Sequence, residues 1–288
     1  MTMPYANVRA FLADHDKVAL VRVTSIQGSS PRGSGTWMLV SDRALYGTIG
    51  GGQLEYMAID EARALIGKGG EARLLDIPLG PEIGQCCGGR VKLSVEPVRG
   101  SMRAELMQAE EAEREAYPAV YLFGAGHVGR ALCDALRPLP VRTVIIDTRA
   151  EELALIDEQF DKRLVPVPEE LVRAAARGSV FIVLTHDHSL DFLIVSEALA
   201  RGDAAYVGMI GSRTKRATFE SWCAKTSEVR GDTTQLICPI GATEHADKRP
   251  EVIAAHVAGE VMTALASFEG NKTKGRPKRQ KRERAHDQ

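Results

Sequence analysis

The segment that most restricts the fold is a glycine motif between an apolar strand pattern and a helix pattern. The run VYLF is followed by GAGHVG, in which Gly124, Gly126 and Gly129 have the spacing GxGxxG. The next apolar run, Val144 to Ile146, ends at Asp147, 23 residues after the first glycine. In a dinucleotide site such glycines admit a pyrophosphate to a helix N-terminus, and the acid binds a ribose hydroxyl. The pattern predicts a Rossmann-like domain but leaves its ligand open, because such turns bind several phosphorylated cofactors or none.

The pattern of the whole chain predicts two domains, as expected for 288 residues. Short strands and a helix mix without regular alternation in residues 1–99, which indicates an α+β domain. A polar, Glu-rich helix over 100–117 is interpreted as a linker. Strands and helices alternate regularly over 118–268, which predicts a doubly wound parallel sheet. The predicted class is therefore α/β, with a mixed α+β domain followed by a Rossmann-like domain and a disordered basic tail at 269–288.

A pair of adjacent cysteines lies in the first domain inside a glycine-rich turn. The turn reads GQCCGG and contains Gln85, Cys86, Cys87, Gly88 and Gly89. Flanking glycines permit positive φ angles and a close approach to a bound group. The thiols could bind a soft metal, exchange sulfur or simply fill space, since free cysteine is often a small buried hydrophobe. No CxxC motif or second thiol pair accompanies them, which argues against a zinc site.

Two further loops of the first domain are candidates for anion binding. The triple glycine Gly50, Gly51 and Gly52 precedes a helix and offers backbone amides to a phosphate. Arg32, in the loop GSSPRG, could pair with that phosphate. Flexible hairpin loops are the alternative reading of both segments. Glu55, in the first helical turn, is interpreted either as a helix-dipole residue or as catalytic.

Two loops of the second domain follow apolar strands, where open α/β sheets place their sites. The first, THDHSLD, has the HxH spacing of a metal site in His186 and His188, but Asp191 is one position late for the HxHxDH pattern. Phosphate donation and helix capping are the alternatives. The second loop is GMIGSRTKR, where Ser212 and Arg213 are predicted to bind an anion. Its other two cations, Lys215 and Arg216, are interpreted as solvated charges on a helix face.

Composition restricts the cellular setting and the partners. Residues 271–288 carry eight Lys/Arg against two acids, a net charge of +6, which leaves −7 on residues 1–270. The body has no matching basic stripe, so we expect no nucleic-acid partner. No continuous apolar run of about 18 residues and no signal peptide are recognised, so we expect a cytoplasmic protein without a membrane span. Five cysteines are an odd number and too few for a disulfide framework.

Seven motifs occur along the chain in the order GSSPRGSGTWMLV, GTIGGGQLE, GQCCGG, VYLFGAGHVGRAL, THDHSLD, VGMIGSR and CPIGA. Together they resemble the XdhC/CoxI family of molybdoenzyme maturation factors, the xanthine dehydrogenase accessory proteins included. The resemblance covers about residues 17 to 265 and excludes the basic tail. One departure follows the PIG triplet that ends at Gly241, where residues 242–249 lack the family's apolar residue and glycine-containing loop.

The resemblance implies an accessory protein that binds the molybdenum cofactor. Such proteins hold the cofactor while a terminal sulfido ligand is installed with the help of a cysteine desulfurase, and pass it to apo-xanthine dehydrogenase. On this reading Cys87 and Cys86 lie near molybdenum. Cys87 matches the single cysteine that broader family members keep, so the role of Cys86 is the less defined. The glycine turns at 50–52 and 124–129 would hold the phosphorylated pterin.

Two other classes of function follow from the residues alone. The first is an NAD(P)-dependent oxidoreductase that uses the glycine turn and Asp147. The second is a metal-dependent hydrolase that uses His186, His188 and Asp191. Whether the chain forms a homo-oligomer is left open.

Overall fold

A computed structural model describes residues 7–30, 32–80, 88–226, 231–242 and 247–274. The chain divides into two compact units, Met1–Glu113 and Arg114–Gln288. The predicted fold class is confirmed, because the first unit contains an antiparallel sheet and the second a parallel one.

The first unit is a five-stranded antiparallel sheet in the order β3-β2-β1-β5-β4, with helices on both faces. Central strand β1 alternates between the two faces: Val21 and Val23 pack in the core beneath α2, whereas Leu20 packs with α1 and α3. Alternation of side chains along a strand gives each face its own core. The elements are α1 (Val8–Asp14), β1 (Ala19–Gln27), β2 (Trp37–Val40), β3 (Leu45–Gly47), α2 (Gly52–Lys68), β4 (Arg73–Pro78), β5 (Arg90–Pro97) and α3 (Ser101–Ala116).

The second unit is a six-stranded parallel sheet in the order β11-β10-β9-β6-β7-β8. The first strand, β6, lies in the middle and later strands are added on either side, which is the doubly wound arrangement. Helices α4 and α9 cover one face, and α7 and α8 cover the other. The elements are β6 (Ala119–Phe123), α4 (His127–Leu136), β7 (Arg142–Asp147), α5 (Ala150–Leu153), β8 (Asp161–Leu164), α6 (Glu169–Ala174), β9 (Val180–Val183), α7 (His188–Arg201), β10 (Tyr206–Met209), α8 (Arg213–Lys225), β11 (Leu236–Ile237) and α9 (Pro250–Lys274).

Helix α9 contains one stretch, Pro250–Phe268, that is long and apolar enough to cross a membrane by length and composition alone. Core helices of globular proteins pass the same test. One side of this helix packs on α4 and the sheet through Ala254, Val257 and Val261. Its exposed positions are small or polar residues, namely Glu251, Ala255, His256, Gly259, Thr263, Ala266 and Ser267.

Candidate functional site

One end of the antiparallel sheet gathers the three segments predicted to bind a cofactor in the first unit. Strand β5 begins at Arg90, which is paired with Gln27 at the end of β1 and with Pro78 at the end of β4. Strand β2 starts at Trp37, next to the end of β3 at Gly47. The loop with Arg32, the triple-glycine turn and the cysteine turn therefore leave the sheet at the same end.

Two of these segments touch through their backbones. A Cβ on Gly89 would lie 2.2 Å from the carbonyl oxygen of Ser29, and one on Gly28 would lie 3.2 Å from the Cα of Gly89. The carbonyl of Gly89 also accepts a hydrogen bond from the amide of Leu79 at 2.7 Å. Only glycine permits this approach at Gly89, whereas glycine is favoured at Gly88 by its positive φ of 61°. The neighbouring Gln85, Cys86 and Cys87 lie outside the described residues, and their roles stay predictions.

The triple-glycine turn surrounds a carboxylate of the chain itself. Gly50, Gly51 and Gly52 have positive φ angles of 131°, 78° and 66°, which residues other than glycine rarely adopt. The amides of Ile49 and Gly51 donate to Oε2 of Glu55 at 3.0 and 3.1 Å. The hydroxyl of Thr48 donates to the same oxygen. The amide of Gly51 is thus occupied by Glu55, and the amide of Gly50 donates to the Thr48 hydroxyl at 3.1 Å. The predicted binding of a phosphate by this turn stays a prediction.

Arg32 is an exposed residue in the loop after β1. Its carbonyl accepts a hydrogen bond from the Ser30 hydroxyl at 3.0 Å, which closes the loop locally. Within the described part of the chain, the Arg32 guanidinium has no ion pair. Its predicted contact with a cofactor phosphate remains a prediction.

The three glycines of the Rossmann turn have different surroundings. A Cβ on Gly124, where φ is +122°, would lie 2.3 Å from the carbonyl oxygen of Leu184, and one on Gly129 would lie 2.0 Å from that of Gly124. These two glycines allow the close packing of α4, β6 and β9. Gly126 has nothing within 4 Å of its Cβ position, and α4 begins there without a side-chain cap. Gly126 alone faces space in which a bound group could lie.

A narrow crevice opens where the strand order reverses, between β6 and β9. Open α/β sheets bind ligands at this position. The crevice is lined at the carboxyl ends of three strands by Phe123, Gly124, Ile146, Asp147, Thr148, Pro168, Thr185, His186 and Leu190.

Asp147 lies in this crevice, but the protein already uses both its oxygens. Oδ2 accepts from the amide of Ala125 at 2.7 Å and from Nη2 of Arg149 at 3.0 Å. Oδ1 accepts from the amide and Nε of Arg149, both at 3.0 Å. Burial raises the pKa of Asp147, but these bonds outweigh it and hold the pKa below its ordinary value. In this arrangement no oxygen of Asp147 is left for a ribose hydroxyl.

The loop after β9 contains a helix cap and a buried ion pair. Asp187 caps α7 by accepting from the amides of Ser189 and Leu190. Asp191 is fully buried, and its carboxylate pairs with Nζ of Lys215. Lys215 is thus not the solvated helix-face charge that the sequence predicts. That interpretation is wrong because α8 packs beside the loop, where its cation neutralises a carboxylate without access to water.

Three other residues at the start of α8 have different surroundings. Ser212 is the N-cap of α8 and accepts from the amide of Lys215 at 3.2 Å, while Arg213 is exposed. Their predicted anion binding stays a prediction. Arg216 pairs with Glu220 one turn away at 2.9 Å, in agreement with its interpretation as a helix-face charge.

The described residues contain no set of ligands for the metal site that the HxH spacing suggests. Among these residues, no group of three or more His, Cys, Asp or Glu side chains is arranged to hold a metal ion. Asp191, the proposed third ligand beside His186 and His188, instead binds Thr185 and Lys215. The geometry therefore does not support the hydrolase hypothesis.

The described cysteines are packing residues. Cys133 is buried, and burial raises its pKa to about 12. Cys238 is also buried, and burial raises its pKa. Thiols with raised pKa values are poor nucleophiles at neutral pH.

Sequence reasoning missed the ion pair and the binding of Glu55 by the glycine turn. Asp191 lies in an otherwise apolar helical pattern, DFLIV, and a carboxylate there needs a partner. That signal could have led to a search for a buried cation. No pattern in the sequence shows that the amides of Ile49 and Gly51 converge on Glu55.

Comparisons with known proteins agree with this architecture. The model of the XdhC Rossmann domain matches residues 120–261, and that of the XdhC and CoxI family matches residues 11–78. A crystal structure of a xanthine dehydrogenase from Bacillus halodurans is similar in fold, with a TM-score of 0.73 and 18% identity over 96% of this chain and 98% of the other.

A curated relative is the uncharacterized protein YqeB of Escherichia coli (strain K12). It is 24% identical over 259 residues, which are 85% of this chain. The chain spans 43% of the length of that relative. Both family models fall on the two units described above, one on each. The chain therefore belongs to the XdhC and CoxI family.

Proposed function

We propose that this protein binds the molybdenum cofactor, holds it during sulfuration and delivers it to apo-xanthine dehydrogenase. A cysteine desulfurase is the second partner, as the source of the sulfur. The protein acts as a non-catalytic carrier in the cytoplasm. Neither a nucleic acid nor a membrane takes part in this function.

The observation that carries the proposal is the convergence of three glycine segments at one end of the antiparallel sheet. The contact between Gly28 and Gly89 holds the loop of Arg32 beside the base of the cysteine turn. The exposed guanidinium of Arg32 is a cation suited to the phosphate of a phosphorylated pterin. The thiolates of the cysteine turn are soft ligands of the kind that molybdenum accepts. When bound, the cofactor supplies the metal that receives the sulfido ligand.

Cysteine variants test the thiol contribution. We expect Cys87→Ala to lower the amount of co-purified cofactor and of sulfurated xanthine dehydrogenase at least severalfold, and Cys86→Ala to have the smaller effect. Cofactor is measured as fluorescent pterin oxidation products from the purified protein. Cys223→Ala, a half-buried thiol on α8, is the matched control. Wild-type levels in both cysteine variants would exclude a thiol role.

The second candidate function is an NAD(P)-dependent oxidoreductase, favoured by the switch-point crevice and the open side of Gly126. Against it, Arg149 and Ala125 occupy both oxygens of Asp147. Calorimetric titration with NAD(H) and NADP(H) separates the two functions. We expect no saturable binding to the wild type. Tight binding that is lost in Asp147→Ala would favour the oxidoreductase.

A further inference from the structure

A cavity of about 230 Å³ lies at the amino ends of the strands in the Rossmann unit, whereas the switch-point crevice lies at their carboxyl ends. Its lining includes Ala119 at the start of β6, Arg142 at the start of β7 and Ser179 just before β9. Parallel pairing brings these three strand starts together. Every residue that lines the cavity belongs to the second compact unit. The volume suits a small molecule with one ring and is below that of a site for a drug-sized ligand.

Two arginines line this cavity without a carboxylate partner. Within the described residues, neither Arg142 nor Arg177 makes an ion pair, although Glu115 lines the same cavity. Other arginines of this unit are neutralised by neighbours, as Arg201 is by Asp203 at 2.9 Å. The lining therefore carries two cations against one acid, and this excess of positive charge favours an anion as the occupant.

An aromatic ring forms another side of the cavity and is positioned by a glycine. Phe268 on α9 lies against Gly178, where a Cβ would be 2.6 Å from Cε1 of the ring and where φ is +80°. Glycine therefore allows the ring to approach the start of β9. The guanidinium carbon of Arg177 lies 5.7 Å from the centroid of the same ring, a cation–π contact. The cation and the ring are thus held side by side at the cavity.

The two cations and the ring narrow the chemical class of the ligand. A carboxylate has two oxygens and one charge, which a single guanidinium fork can satisfy. A phosphate has three terminal oxygens and about two negative charges at pH 7, and therefore suits two guanidinium groups. A flat ring on the ligand can stack on Phe268 or meet it edge to face.

We propose that this cavity binds a small aromatic phosphate, with Arg142 and Arg177 as ligands of the phosphate and Phe268 as the surface that contacts the ring. The inference goes beyond the proposed function and does not depend on it. The cysteine turn belongs to the other unit, and the glycine turn of the Rossmann unit lies at the opposite end of the parallel sheet.

Phenyl phosphate is the probe, titrated into the full chain by calorimetry, with benzoate and inorganic phosphate as reference ligands. We expect the wild type to bind phenyl phosphate about tenfold more tightly than either reference ligand, because only the probe has both a phosphate and a ring. The double variant Arg142→Met/Arg177→Met should weaken the binding of phenyl phosphate about tenfold or more. Phe268→Leu should lower its affinity to that of inorganic phosphate.

The control is Arg173→Met, which removes a cation of the same unit that does not line the cavity and that pairs with Glu197 at 3.3 Å. It should bind phenyl phosphate as the wild type does, and thermal unfolding of each variant shows that it is folded. A wild type without saturable binding overturns the inference, and so does unchanged affinity in the double arginine variant. Equal affinities for phenyl phosphate and inorganic phosphate overturn the role of the ring. The amount of co-purified cofactor tests the proposed function separately.

Discussion

The two units hold their loop carboxylates in different ways. In the Rossmann unit, Asp147 and Asp191 are buried, and each is paired with a cation, Arg149 and Lys215 respectively. In the antiparallel unit, Glu55 is half-buried and bound only by neutral donors on one oxygen. A carboxylate thus lies beside a glycine turn in each unit. Both oxygens of Asp147 accept hydrogen bonds, whereas within the described residues only Oε2 of Glu55 does.

This difference separates structural from binding roles. A buried carboxylate that is paired with a cation has its charge neutralised and its lone pairs engaged in hydrogen bonds. It therefore stabilises the loop and has no acceptor left for a ligand. A carboxylate with one unused oxygen keeps the capacity to bind. The comparison assigns a stabilising role to the ion pairs of Asp147 and Asp191, and the following experiments test it.

The largest effect is expected from Lys215→Met, which leaves the charge of Asp191 buried without its cation. We expect a loss of about 3 to 5 kcal/mol in the free energy of unfolding of the Rossmann unit, measured by urea denaturation. Lys225→Met, an exposed position on the same helix, is the control. The second change Asp191→Asn should restore part of the loss. A stable single variant would show that the pair is not a brace.

Substitutions at two of the three glycines of the Rossmann turn should differ in their effect on the free energy of unfolding. Gly129→Ala places a methyl group 2.0 Å from the carbonyl oxygen of Gly124, so we expect a cost of about 1 to 3 kcal/mol. Gly126→Ala meets nothing within 4 Å and should change the unfolding free energy by less than about 0.5 kcal/mol. Equal effects on stability would contradict the assignment of separate roles.

The lowered pKa of Asp147 predicts that the free energy of unfolding depends on pH in the acid range. Because the pKa of Asp147 is lower in the folded protein than in the unfolded chain, its contribution is complete above the unfolded value of about 3.9. It is lost as the pH falls through the lowered folded pKa. We expect the difference in unfolding free energy between wild type and Asp147→Asn to shrink between pH 5 and pH 2, as about one proton is taken up. A difference that is constant over this range would exclude an ionised brace.

A small effect on stability is expected at Glu55. Glu55→Ala removes an acceptor from the N-terminal turn of α2 and should cost about 1 kcal/mol, whereas Glu55→Gln keeps the acceptor and should cost less than about 0.5 kcal/mol. Thermal unfolding of both variants measures the difference, with Glu61→Gln as the reference. A large loss in Glu55→Gln would show that the charge itself, and not an oxygen acceptor, holds the turn.

The elements predicted correctly are those whose residues carry a local signal. Strand β6, the turn of Gly124 and helix α4 follow from apolar runs and glycine spacing. Strand β8 (Asp161–Leu164) has no such signal, because it is an edge strand with charged residues and the sequence DKRL. Edge strands are often charged, which protects them from pairing with other chains and also hides them from a search for apolar patterns.

Glycine spacing and apolar periodicity predict the class of each domain and the positions of the glycine turns, because both patterns report on neighbouring residues. The groups that each turn contacts depend on the tertiary structure. The partner of Asp191 is 24 residues away, and Gly28 meets Gly89 from another hairpin. Such contacts depend on how strands pair and helices pack, and no local pattern encodes them. For the same reason, the sequence does not show that Ala125 and Arg149 occupy both oxygens of Asp147.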